Sequence, residues 1–385
     1  MKITSITVEN LFGFLTHKIP LNNEDGITLI HGTNGCGKTT LLILINAVFT
    51  GDFATLSTLI FDKIIIKYNN QIELTVKKSW NNSASKMDLS EIEERNPSTA
   101  KISFSRSDLV EEYTVDFSHF LKKTKWWPLF ETPALSQIEP DATDDEWLSV
   151  KPVMRKYGSM FSEQIQKPKW LVELLDNIKV HFVKTGRLTQ LTSTGPHARD
   201  AVEIYSNEIC EIIAKKLAAY FAMSQDRTFL DALFNQKVPE NVSENALRQR
   251  YFETEKQLRK LMAVGLLDEK TNLALPDTEL NSLEKQVLWL YLEDVNEKLK
   301  SVSDIQKRIE TFIEIIAPKL RNKTFRIDRN QGFIFEKTNG NPGKLKPAAL
   351  SSGEQHQLVL FYELIFKSED NALFLIDEPE ISLQW

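Results

Sequence analysis

The chain has 385 residues, 42% of them hydrophobic and 26% charged, with a net charge of −6. Such a chain can bury a sizeable core in two or three domains, or in one large domain with an insertion, and its charge excludes a surface that is basic throughout. No apolar run approaches the roughly 18 residues a membrane helix needs, and MKITSITVEN lacks a signal-peptide core, so no membrane partner is expected.

The first 31 residues alternate apolar and polar in short runs: ITSITV, THKIPL after Phe12-Gly13-Phe14, and GITLIH from Gly26 to His31. All three predict strands. After a glycine-rich loop, Thr39 to Phe49 is apolar on most sides, as a helix buried against a sheet would be. Phe61 to Lys78 predicts a hairpin turning at Asn69-Asn70, and Ala100 to Arg106 with Glu111 to Phe117 predicts another pair.

Pattern is lost between about Lys122 and Lys169, where Glu139 to Trp147 carries five acids and no base and is expected to be a solvated loop. Val180 to Leu188 resumes as a buried strand. From His197 to about Leu320 the reading is helical. Val202, Tyr205, Ile209, Ile213, Leu217 and Tyr220 form one stripe, and Leu280, Leu283, Val287, Tyr291, Val295 and Leu299 a second, with Asp277 as its expected cap. These helices are expected to be too short and interrupted for a long coiled-coil arm. Thr324 to Lys337 returns to strands, a helix is expected from near Ser352, and Ala372 to Asp377 predicts a closing strand.

Three motifs carry chemistry. GTNGCGKTT fits G-x-x-x-x-G-K-[ST] through Gly32, Gly37, Lys38 and Thr39. Its glycines let backbone N–H groups curl around phosphate oxygens, with Asn34, Gly35, Cys36 and Thr40 completing the cradle. Lys38 is expected to reach the β- and γ-phosphates of ATP, and the Thr39 hydroxyl to take one site on Mg²⁺. Cys36 is expected to be a small packed residue. With Cys210 it makes two cysteines in the chain, which fits a reducing, cytoplasmic compartment. At the other end ALFLIDEP places Asp377 at the carboxyl end of a strand, where ligands gather in α/β sheets, with Glu378 just beyond. Asp377 is assigned to the metal, and Glu378 to orienting and polarising an attacking water. Between them, LSSGEQ opens an apolar helix at Leu350, and its serines are also good helix caps.

In this order the three motifs resemble the ATP-binding-cassette (ABC) class, whose signature reads LSGGQ. Ser351, Ser352, Gly353 and Glu354 match its second to fifth positions, with Ser352 in place of a glycine and Glu354 in place of the glutamine. ITVENLFGF, LSSGE and DEPEISL further resemble the soluble branch of RecF-like, Rad50-like and OLD-family ATPases, and in style the bacterial defence ATPases of Septu-type systems.

The resemblance implies an α/β fold: a P-loop ABC-ATPase head with N-terminal antiparallel β additions and a compact helical insertion. Residues 1–192 would form the N-terminal part of the head, 193–320 the insertion and 321–385 the C-terminal part. It also implies a homodimer or higher oligomer in which the signature of one subunit faces ATP held by the other, a nuclease or toxin effector as partner, and a γ-phosphate-sensing glutamine, for which Gln190 is the candidate, with Arg187 nearby. The class places a histidine downstream of the catalytic acid. All six histidines (17, 31, 119, 181, 197 and 356) precede Asp377, so a longer chain is expected. Other expectations are a slow ATP-dependent sensor or scaffold, a DNA-repair ATPase, or the ATPase part of an OLD-family nuclease without its Toprim domain. DNA contact would fall on the bases of Leu320 to Arg329, although a solvated hairpin is the stronger expectation there.

Overall fold

A computed structural model describes residues 1–80, 100–116, 165–186, 188–191, 198–222, 242–267, 275–338, 343–369 and 371–382. The acidic run 139–147, Arg187, His119 and His197 lie outside them. The chain divides into two compact units, residues 1–183 with 369–377, and 184–368 with 378–385.

The first unit is built on a six-stranded antiparallel sheet, ordered β2-β1-β3-β4-β5-β6. Its strands are β1 (Ile3–Leu11), β2 (Leu15–Pro20), β3 (Lys63–Tyr68), β4 (Glu73–Trp80), β5 (Ala100–Arg106) and β6 (Glu112–Asp116). The hairpins expected at Asn69-Asn70 and between β5 and β6 are present. Side chains alternate across a strand, so Ile64, Ile66 and Tyr68 of β3 meet Leu74 and Val76 of β4 and Ile102 and Phe104 of β5 on one buried face. In β1 the register shifts near each end, which brings Ile3 and Leu11 onto the same buried side as Ile6 and Val8.

Against this core lies α1 (Lys38–Thr50), with Leu41, Leu42, Leu44, Ile45, Ala47, Val48 and Phe49 buried. Each large apolar side chain so removed from water contributes about 1.5–3 kcal/mol. Gly51 ends the helix in the left-handed region, and Asp52 then caps α2 (Phe53–Thr58) by accepting from the Thr55 N–H. Beyond α3 (Lys169–Asp176), β7 (Lys179–Val183) pairs in parallel with β13 (Ala372–Ile376).

Two expectations in this unit are corrected. Residues 27–30 form no strand, and Ile27, Leu29 and Ile30 are 69%, 85% and 38% exposed. An apolar run becomes a strand only where a neighbour completes its hydrogen bonds, and no ladder among the described residues includes this one. The strand expected over 180–188 stops at Val183, its only fully buried position, before a turn.

The second unit holds the β8 (Thr189–Leu191) and β9 (Ala198–Asp200) ladder, α4 (Ala201–Ala222), α5 (Glu244–Ala263), α6 (Ser282–Ile316), the β10 (Lys323–Asp328) and β11 (Gly332–Lys337) hairpin with β12 (Lys344–Leu345), and α7 (Ser352–Phe366). The first stripe holds at all six positions from Val202 to Tyr220, which are buried in one core with Phe312, Phe325, Phe333 and Tyr362.

The second stripe holds in part: Leu280 and Val295 are buried and Leu299 packs on the second core, but Leu283, Val287 and Tyr291 are exposed, and the buried face runs instead through Leu288, Leu292, Val295, Val302, Ile305, Ile309, Phe312 and Ile316. The run LWLYL offers two helical registers of similar hydrophobicity, and Leu247 of α5, which clusters with Leu280, Leu288 and Leu292, selects the second. The cap is Asn281, in a capping box with Glu284, and not Asp277. Nor is α6 short or interrupted: it runs 35 residues, about 52 Å at 1.5 Å per residue.

Candidate nucleotide-binding site

The glycine loop turns directly into α1. Gly37 stands at the helix N-terminus with φ +84°, and a Cβ there would meet Leu11 Cδ2 and Phe12 Cε2 at 3.0 Å. Only glycine satisfies both conditions without strain. No side chain caps α1 and its first turn carries no acid, so the helix itself supplies no carboxylate that would compete with a phosphate for its N-terminus. At the opening glycine, a Cβ on Gly32 would lie 2.8 Å from Cys36 Sγ, so Cys36 packs on the loop it belongs to. The tip is Asn34 and Gly35, the latter also at positive φ.

The Lys38 ammonium donates to the carbonyls of Gly32 at 2.7 Å and Thr33 at 3.1 Å. It thus lies across the loop, where it balances the negative ends of peptide dipoles and a phosphate would compete for it. Beside it a cavity of about 310 Å³ is lined by His17, Lys18, Leu29, His31, Cys36 and Lys38, among others.

The decisive contact spans 338 positions of the sequence: the Thr39 hydroxyl donates to Asp377 Oδ1 at 2.9 Å. Parallel pairing of β13 with β7 fixes Asp377, whose N–H donates to Val183 O at 3.0 Å, and only 6% of the residue is exposed. The loop residue assigned to the metal therefore meets the acid at the strand end. Both are hard oxygen donors, suited to Mg²⁺, which keeps several waters and takes the rest of its shell from phosphate. Among the described residues no group of three or more His, Cys, Asp and Glu could hold a metal, so this pair would depend on such a shared shell. Glu378 follows, exposed and in the left-handed region at φ 47°, a backbone cost of about 1–3 kcal/mol that is concentrated at functional sites.

The sequence matches the AAA ATPase domain family over residues 1–383. The chain belongs to that family. No curated protein matches this ATPase domain. Among solved structures it is similar to the Smc head domain with an extended coiled coil, bound to the C-terminal domain of ScpA, from Pyrococcus furiosus, at 15% identity over 100% of this chain and 83% of that one, with a TM-score of 0.32.

In the second unit of this ATPase domain, Ser351 caps α7 in a capping box with Glu354. Ser351 Oγ accepts from the Glu354 N–H at 3.3 Å, and Glu354 Oε2 accepts from the Ser351 N–H at 2.7 Å and its hydroxyl at 3.0 Å. Ser352 and Gly353 form the first turn, and nothing lies within 4 Å of a Cβ built on Gly353.

Sequence reasoning missed Lys323, whose ammonium donates to both Glu354 oxygens, at 2.7 and 3.0 Å. Burial pushes the Glu354 carboxyl up, but the Lys323 ammonium and the Ser351 amide and hydroxyl outweigh it and hold it below the usual range. Of the basic run 320–329, Lys323 is thus committed to Glu354 and Arg326 to Glu336, so the expected basic face for DNA loses two of its charges to internal pairs. Gln190 lies on β8 opposite Arg199 of β9, and its side chain is outside the described ones.

Proposed function

We propose that this ATPase domain binds Mg-ATP at residues 32–40 and hydrolyses it to ADP and phosphate. The observation that carries the reading is the Thr39–Asp377 hydrogen bond, which joins the loop hydroxyl to the buried acid beside the Lys38 ammonium. Phosphate oxygens take the loop N–H groups and the α1 N-terminus, and Lys38 exchanges the Gly32 and Thr33 carbonyls for the β- and γ-phosphates. Thr39 and, through water, Asp377 would hold the cation, which when bound would neutralise charge on the phosphate oxygens. Glu378 accepts a proton from the attacking water as its oxygen bonds to the γ-phosphorus. The bond from that phosphorus to the β,γ-bridging oxygen breaks, and ADP leaves with the electron pair.

The resemblance supports the rest of the proposal. Ser351, Ser352, Gly353 and Glu354 of one copy close over the γ-phosphate bound to a second copy, so that occupancy is read out as dimerisation. In the manner of the Septu-like defence ATPases, that dimer controls a nuclease or toxin effector during anti-phage defence.

The test is Glu378→Gln. It should bind ATP, accumulate as an ATP-dependent dimer by light scattering, and hydrolyse about 10²- to 10⁴-fold more slowly, the range for a lost general base. Wild-type turnover in this variant overturns the assignment. Lys38→Ala should abolish ATP binding, and unchanged affinity would remove Lys38 from the site.

A further inference from the structure

Lys323 stands outside every motif, yet it is the counter-charge of the signature. It opens β10, a strand anchored by Phe325 and Ile327 in the second core, with Phe325 stacked on Phe335 at 5.2 Å and edge-on to Phe312 at 5.8 Å. The hairpin therefore delivers the ammonium to a fixed place. There it meets Glu354 with only 19% and 11% of the two side chains exposed. Glu354 in turn holds both the N–H and the hydroxyl of Ser351. Gln355 Nε2 donates to Pro347 O and Leu350 O and fastens the approach to the helix.

Resting on the nucleotide reading above, we propose that Lys323 is a positioning residue that makes the signature competent for an anion. A carboxylate in the first turn of α7 opposes any phosphate approaching Ser351. Lys323 cancels that charge, and it keeps the carboxylate in place when the Ser351 hydroxyl turns from Glu354 to the phosphate. The trio Lys323–Glu354–Ser351 thus does with an ion pair what a neutral glutamine at position 354 would do without one. The lysine and the acid form one functional unit, and neither is explained alone.

Charge neutrality is the testable core. Lys323→Met leaves Glu354 uncompensated and should lower ATP-driven dimerisation and hydrolysis at least about tenfold, the effect of one unit charge a few ångströms from a doubly charged phosphate in a water-like medium. Affinity for ATP at the loop, measured with a fluorescent analogue, should stay within about threefold. Glu354→Gln keeps a capping acceptor but loses the charge, so it sets the reference for a signature without an ion pair. The double variant is neutral again and should recover to within about threefold. Thermal melting of all four proteins reports any loss of fold separately.

If the double variant is as impaired as Lys323→Met, the lysine serves the fold alone and the proposal is overturned. Unaltered turnover in Lys323→Met overturns it as well, while leaving the ATP site intact. A wild-type protein that neither binds nor hydrolyses ATP overturns the nucleotide reading and this proposal together.

Discussion

Asp377→Asn separates the two tasks assigned to the acid at the end of β13. Asparagine retains an Oδ1 acceptor for the Thr39 hydroxyl, now at 2.9 Å, and nearly the same volume. Folding stability should therefore change by less than about 1 kcal/mol, the net worth of a typical hydrogen bond that is here preserved. The cation loses a full opposing charge. For a divalent ion at about 5 Å, Coulomb's law gives about 2 kcal/mol in bulk water and about 7 at an effective dielectric of 20. The buried setting of Asp377, 6% exposed, argues against the lower end, so a 30-fold weaker apparent Mg²⁺ affinity, about 2 kcal/mol, is a floor. Phosphate release across a Mg²⁺ titration measures this, and urea unfolding without nucleotide measures the fold. An unshifted Mg²⁺ midpoint, or a stability loss as large as that of Thr39→Val, would refute the division of labour.

Other outcomes follow from the two cores and the capping box. Tyr362 is fully buried and stacked on Tyr205 at 4.4 Å, but its hydroxyl has no hydrogen-bond partner among the described residues, so Tyr362→Phe should leave stability unchanged or raise it by about 0.5–2 kcal/mol in urea unfolding; a loss above about 1 kcal/mol would show that the hydroxyl is paired. Lys78, buried on β4 in phase with Leu74 and Val76, donates to the carbonyls of Leu56, Ser57 and Leu59, so Lys78→Met should cost about 2–4 kcal/mol by orphaning the end of α2. A neutral result there would show that water reaches those carbonyls. Because Glu354 is held below its ordinary pKa, its stabilisation is present above about pH 4.3 and lost as pH falls through the lower folded value. Acid titration of wild type against Glu354→Gln should therefore show the stability difference shrinking on the acid side, and a difference independent of pH would contradict the ion pair.

Elements whose partners are local were readable from the chain itself. The β3–β4 and β5–β6 hairpins pair across short turns, and the Val202–Tyr220 stripe meets a single core, so alternation and period sufficed. Where burial depends on a distant partner, the pattern was ambiguous. LWLYL in α6 is apolar on two helical faces, and the choice lies with Leu247, some 40 positions upstream. GITLIH has the composition of a strand, but hydrogen-bonded neighbours are a property of the sheet and not of the segment.

The site divides along the same line. The turn at Gly37 and the helix start at Lys38 and Thr39 were legible because the motif proposed to bind phosphate rests on backbone turns and a helix terminus, both of which are encoded within a few residues. Asp377 was legible because a strand end has a defined place in an α/β sheet, and the Thr39 hydroxyl meets it there. Lys323 was not, because a lysine in a basic, alternating strand reads equally as a solvated or a phosphate-binding charge. Only the partner distinguishes the cases, and that partner lies 31 positions away on α7. The departure from the glutamine of LSGGQ to Glu354 was nevertheless a visible signal. On the proposed reading, a carboxylate in the first turn of a phosphate-receiving helix calls for a neutralising cation, and Lys323 of the basic run Leu320 to Arg329 stands beside Glu354.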